Sequence, residues 1–139
     1  MKIIPVLTIL IILLAGVCRA DIFVVTHQDN PIRSLTKEQV RELYLARSHA
    51  FPDGEDARVF DRTEGVLRTR FIESVLDMRV RQFDAYWARL IFAGRVLPLD
   101  IADREDELLI RLKEDIHSIA YTDRLFESET IKTLLVVRE

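Results

Sequence analysis

The stretch that decides the fold is Val59 to Phe71, V-F-D-R-T-E-G-V-L-R-T-R-F, in which a short apolar run passes through a polar turn into an amphipathic segment. Apolar residues recur at i, i+4 and i+8 as Leu67, Phe71 and Val75, which predicts a helix with one buried stripe. A strand that ends at a helix start leaves free backbone N–H groups and the positive end of the helix dipole at one point. Such a point suits an anion, so this junction is the first candidate binding site.

The residues before the junction predict one strand, one helix and a second strand. Ile22 to Thr26, I-F-V-V-T, has the β-branched and aromatic composition of a buried strand. Thr36 and Gln39 are spaced as a capping box, which predicts a helix over residues 37–46. A second strand is expected over residues 57–61, directly before the junction.

The residues after the junction predict two more helices and two more strands. Phe83, Trp87, Leu90 and Ile91 share one helical face, and Gly94 is placed to end that helix. The remaining elements are a helix over 104–114 capped by Asp103, a strand over 118–121 and a strand over 131–137. The order β-α-β-α-α-α-β-β predicts a single small α/β domain whose mixed sheet is flanked by helices.

The first twenty residues have the pattern of a secretory signal peptide. Lys2 is followed by an apolar run of about 13 residues, too short to cross a bilayer as an ordinary helix, and Ala20 is a small residue before Asp21. We expect cleavage after Ala20 and one exported domain over residues 21–139. An uncleaved membrane anchor and a lipoprotein modified at Cys18 are the two alternatives.

Charge and composition exclude several function classes. The chain has 20 basic and 23 acidic residues, so removal of Lys2 and Arg19 leaves 18 basic residues and a net charge of −5, which argues against nucleic-acid binding. Cys18 is the only cysteine, so the exported domain can form no disulfide or thiolate metal site. The three histidines share no metal-ligand spacing, and no nucleophile elbow or glycine-rich phosphate loop is present. We therefore expect no enzyme, no cofactor and no metal.

Several segments, taken in order, resemble the phosphate-type substrate-binding proteins of bacterial ABC transporters, and most closely their short relatives. They are D-N-P-I-R-S-L-T-K-E-Q-V-R-E-L-Y-L, F-P-D-G, F-D-R-T-E-G-V-L-R-T-R-F, F-D-A-Y-W-A-R-L-I-F-A-G-R and the late I-A-Y, within residues 22–121. The resemblance implies a periplasmic protein with the type II binding-protein fold, in which two lobes close on a phosphate-like anion. Residues 21–139 match one such lobe in size.

Four residues at the junction are the main candidates for ligand binding. Arg62, Glu64 and Gly65 match the anion loop of that family. Arg62 could form a bidentate pair with an oxyanion or a surface pair with Asp61 or Glu64, and Gly65 would let backbone approach the ligand. We expect Thr63 to cap the following helix rather than to donate to a ligand.

Arg68 and three residues outside the junction complete the set of candidates. Arg68 could contribute charge to an anion, although an exposed helix arginine is the expected state. Ser34 and Thr36 precede the first helix, a second place for an anion, and Tyr121 ends a strand that approaches the cleft in the family fold.

The sequence leaves three functions open. The first is capture of a small anion at the junction. The second is an interaction module that docks on an envelope sensor, porin or transporter component. Val66 and Leu67 favour this alternative, because they are apolar where the family has hydroxyl groups. The third is a homodimer in which two copies restore a two-lobe cleft.

Overall fold

The computed structural model describes residues 20–126 and 128–139. The predicted signal peptide therefore lies, except for Ala20, outside the described residues. The elements in chain order are β1 (Ile22–His27), α1 (Lys37–Tyr44), β2 (Arg58–Asp61), α2 (Val66–Ser74), α3 (Val80–Phe92), β3 (Asp100–Ile101), α4 (Glu105–Glu114), β4 (Ser118–Thr122) and β5 (Ile131–Val137). All predicted strands and helices are present, and β3 is additional.

The five strands form one mixed sheet in the order β3-β2-β4-β1-β5. β2 is parallel to both β3 and β4, whereas β1 is antiparallel to β4 and β5. The prediction of a mixed sheet flanked by helices is confirmed. Because β1 is antiparallel to β4, the loop after β1 lies at the end of the sheet where β4 begins. The loop after β2 lies at the opposite end, because β2 is parallel to β4.

Helices cover both faces of the sheet. Alternation along β4 sends Ile119 and Tyr121 into a core shared with residues of α1, α2 and α3, and sends Ala120 into a smaller core shared with Leu108 and Leu112 of α4. The domain is thus a three-layer structure with α1, α2 and α3 on one face and α4 on the other.

The capping signal predicted the start of α1 correctly, but the predicted cap of α4 is wrong. Thr36 and Gln39 form the expected capping box, in which the Gln39 N–H donates to the Thr36 hydroxyl at 3.1 Å. The expectation that Asp103 caps α4 is wrong, since the N-cap is Arg104 with no side-chain cap.

The C-terminal part of α3 also differs from its predicted burial. Phe83 and Trp87 are buried as expected, but Ile91 is 39% exposed at the rim of a cavity beside β3. Gly94 does follow the helix, with a φ of 68° that suits glycine. No helix in residues 20–126 and 128–139 is long and apolar enough to cross a membrane.

Candidate functional site

The junction between β2 and α2 is built from a buried carboxylate, a short turn and an uncapped helix end. Asp61 ends β2 and is 5% exposed. The N-cap of α2 is Gly65, with φ 116° and ψ 169°, a region that only glycine occupies readily. No side chain among residues 20–126 and 128–139 caps this end, and the first turn of α2 has no acidic residue. The prediction that Thr63 caps the helix is therefore wrong.

Arg62 is paired with a carboxylate from a distant part of the chain. Its Nη2 lies 2.6 Å from Oε1 of Glu105, and its Nη1 donates to the backbone carbonyl of Asp103 at 3.1 Å. The side chain is 12% exposed, and its guanidinium lies 5.8 Å from the centre of the Tyr121 ring. The expected partners, Asp61 and Glu64, are not the ones observed.

The backbone N–H and the hydroxyl of Thr63 both donate to the carboxylate of Asp103. The Thr63 N–H donates to one carboxylate oxygen at 2.7 Å and its hydroxyl donates to the other at 2.9 Å. This pair of bonds ties the turn after β2 to the segment before α4. The hydroxyl that could have capped α2 or bound a ligand is held by a negative charge.

Arg68 is buried rather than exposed, so the expectation of a surface arginine is wrong. Its Nε and Nη2 each lie 3.2 Å from Oδ2 of Asp61, and Nη2 donates to Oδ1 of Asp84 on α3 at 2.8 Å. Its guanidinium also lies 5.4 Å from the centre of the Phe83 ring. Burial alone would lower the pKa of Arg68, but Asp84 and Asp61 outweigh it and raise that pKa, so the group keeps its charge.

Tyr121 lies in the core beneath this ion pair. Its hydroxyl donates to Oδ1 of Asp61 at 2.6 Å, and its ring stacks on Phe71 with centroids 3.9 Å apart and an interplanar angle of 5°. Burial, followed by the charge of Asp61, raises the pKa of Tyr121 well above its usual range. Tyr121 is 1% exposed, so its ring and hydroxyl face the protein interior.

The remaining candidates are Ser34 and Thr36, which lie away from the junction, and Glu64, which lies within it. Ser34 and Thr36 precede α1, and Thr36 is used as its cap. Asn30, in the same loop, donates to the carbonyl of Ile116. This bond places the loop at the end of the sheet where β4 begins. Among the described residues, no hydrogen bond or ion pair joins this loop to Arg62 or Arg68. Glu64 is exposed in the turn.

Two cavities adjoin the sheet edge formed by β3. One of about 320 Å³ has a charged side and an apolar side. The charged side is formed by Asp61, Arg68 and Asp84, and the apolar side by residues of α3, among them Phe83 and Trp87, and by residues around β3. A second of about 650 Å³ lies at the amino end of β2, where Arg58 pairs with Asp100 at 2.9 Å. In residues 20–126 and 128–139, no three His, Cys, Asp or Glu side chains are grouped so that they could hold a metal ion.

Sequence reasoning missed the acidic residues that define this site. Asp103 and Glu105 lie 40 and 43 residues after the groups that they bind, and Asp84 lies 16 residues after Arg68. The placement of Asp103 and Glu105 depends on β3, which brings the start of α4 beside the turn after β2. Asp84 is placed by the packing of α3 against α2. β3 has two residues, one of them charged, and this pattern gives no strand signal.

Comparison with known proteins supports the fold. No family model and no curated protein matches the chain. A protein from Clostridium perfringens, assigned as a phosphate ABC transporter substrate-binding protein and solved with phosphate bound, superimposes with a TM-score of 0.57 at 19% identity, over 73% of this chain and 40% of its own. An ABC-type phosphate transport receptor from Vibrio cholerae gives a TM-score of 0.58 at 13% identity, over 83% and 46%.

These structures define the fold class of the chain as that of periplasmic solute-binding proteins. At these identities the likeness concerns the fold alone. The chain spans less than half the length of either protein.

Proposed function

We propose that this chain is an exported interaction module with a solute-binding fold, which docks on another protein of the cell envelope instead of capturing a free anion. The observation that carries the proposal is the pairing of both arginines at the junction. Arg62 is held by Glu105, and Arg68 by Asp61 and Asp84. A phosphate entering here would have to compete with three carboxylates already in place.

The surroundings of the junction support the same conclusion. The Thr63 hydroxyl and N–H are bound by Asp103, so a further negative charge lies beside the turn. Like charges at this spacing repel an incoming anion. Val66, at the first position of α2, is 77% exposed and presents an apolar surface where an anion would sit. An apolar residue in an exposed position suits contact with a protein better than contact with a phosphate.

A second candidate function, capture of a small oxyanion, is favoured by the end of α2. The helix has Gly65 as its N-cap, with no side-chain cap and no acidic residue in its first turn. Its first N–H groups therefore have no side-chain acceptor in the described part of the chain. Phosphate is bound in the C. perfringens protein, whose fold this chain shares in part. Oxyanion capture requires the N–H groups of α2 to attract the anion more strongly than the carboxylates around Arg62 repel it.

Thermal unfolding of the purified protein in phosphate and in sulfate separates the two functions. A ligand present at 100 times its dissociation constant adds about 2.7 kcal/mol, or on the order of 10 °C for a domain of this size. The interaction-module proposal predicts the same melting temperature in millimolar phosphate as in chloride of equal ionic strength. A saturable rise that is lost in Gly65→Ala, but kept in Gly54→Ala at another positive-φ glycine, would refute it.

A further inference from the structure

The outer face of α3 carries an exposed surface that no other element of the described residues covers. Arg81, Ala85, Ala88, Arg89 and Phe92 are all exposed and follow one another at i, i+4, i+7, i+8 and i+11, which places them on one side of the helix. We call these five residues the α3 face. Phe92 is 96% exposed, far more than an aromatic side chain of a helix normally is.

The surface continues into the segment that follows α3. Leu97 is 86% exposed, and Ile91 and Ile101 line the 320 Å³ cavity beside Ala88. Apolar protrusions thus lie beside a hollow whose lining is mostly apolar, with Asp61, Arg68 and Asp84 on its charged side. A partner side chain could enter the hollow while Phe92 and Leu97 pack against the partner, an arrangement typical of protein interfaces.

The charge of this region is opposite to that of the chain. Residues 79–99 contain four arginines and one acidic residue, whereas the whole chain has a net charge of −3. That acidic residue, Asp84, is bound by Arg68. Arg81, Arg89 and Arg95 form no ion pair with any residue in the described part of the chain, so their charges are free to meet a partner. Arginine beside an exposed aromatic residue is the composition of an interface hot spot.

From these observations we infer that the α3 face, together with the adjoining cavity, binds an acidic protein segment that places a large apolar side chain in the cavity. The inference rests on the proposed function and specifies its partner. Ala85 and Ala88 leave room for the backbone of that segment to approach α3 closely. The free arginines would meet its carboxylates and set the association rate and its salt dependence.

Two other occupants fit the surface less well. A second copy of the chain, docked symmetrically, would bring the arginines of one α3 face against those of the other. An anionic membrane would satisfy the arginines and Phe92, but a lipid surface has no side chain to fill the cavity.

The test uses a random peptide library displayed on phage and selected on the immobilised protein. We expect the enriched peptides to be rich in Asp and Glu and to share one large apolar residue. Their affinity should fall about tenfold or more in the variant Arg89→Glu/Phe92→Ser and decrease as salt is added. The matched control is Ile110→Ser/Arg111→Glu on α4, on the opposite face of the sheet, where Ile110 is 56% exposed. This control should bind as the unmodified protein does.

Three results would overturn the inference: no enrichment, enriched peptides without an excess of acidic residues, or equal binding to the α3 variant. Binding to phosphatidylglycerol vesicles that is lost in the α3 variant, with no peptide preference, would assign the surface to a membrane instead. The melting temperature in phosphate is measured independently of peptide binding. Failure of this inference can therefore be distinguished from failure of the proposed function. Both variants alter exposed residues, and their unfolding curves show whether each is folded.

Discussion

Breaking the buried pair between Asp61 and Arg68 should destabilise the domain strongly. Arg68 is 9% exposed and Asp61 5%, and two guanidinium nitrogens lie 3.2 Å from one carboxylate oxygen. Asp61→Asn keeps the shape but removes the charge, leaving a buried guanidinium with one remaining acidic partner. Loss of one partner of a buried pair costs about 3 to 5 kcal/mol. We expect about 3 kcal/mol, because Asp84 still binds Arg68.

The assay is equilibrium unfolding in urea, followed by a double-mutant cycle with Arg68→Met. Each single substitution should lower the midpoint, with a loss on the order of 10 °C in melting temperature. In the double variant no unpaired buried charge remains, so its cost should fall short of the sum of the single costs by about 2 kcal/mol. Arg111→Met is the control, since its ion pair on α4 is exposed and spans 4.0 Å, and it should cost no more than about 0.5 kcal/mol.

Additive costs, or single costs below about 1 kcal/mol, would refute this reasoning. Either result would mean that Asp61 and Arg68 do not form the pair in solution. Arg68 would then be available to an anion, and of the two arginines at the junction only Arg62 would be held by a carboxylate.

Three further predictions concern single residues. Gly65→Ala should cost about 1 to 3 kcal/mol in urea unfolding, because φ is 116°. Apart from the adjacent residues, no atom of the described chain lies within 4 Å of the added methyl group, so the cost is backbone strain. Thr36→Ala removes the cap of α1 and should cost about 1 kcal/mol, measured in the same way, with Ser34→Ala as a neutral control. The raised pKa of Tyr121 contributes stability that is complete below the ordinary tyrosine pKa of 10.0 and is lost at higher pH, because the unfolded chain ionises first. Unfolding free energy should therefore fall above about pH 10, by up to about 1.4 kcal/mol per pH unit for this group, and less steeply in Tyr121→Phe.

The fold could be predicted where the signals were local. The capping box of Thr36 and Gln39 fixed the start of α1, and the apolar spacing of Leu67 and Phe71 gave α2. These interactions span four residues or fewer, so the sequence displays them directly. The glycine after α3 was likewise readable from its position.

The site could not be predicted, because its contacts are made across the fold. Thr63 looked like a helix cap, but a carboxylate 40 residues later holds its hydroxyl, and the helix starts at Gly65 instead. Arg68 was expected to be exposed because the sequence places it on α2 without showing which acidic residues bind it. Asp61 and Asp84 become its neighbours only when β2, α2 and α3 pack together.

The measurement that tests the central claim most directly is a phosphate titration of the ¹⁵N-labelled protein, followed by NMR through the arginine side-chain signals and the backbone amides at the start of α2. If Arg62 and Arg68 are held by their own carboxylates, their Nε–H signals and the amides of Gly65, Val66 and Leu67 should stay in place up to millimolar phosphate. Saturable shifts of these signals, with no comparable shift at Arg111, would show that the junction binds the anion and would contradict the account.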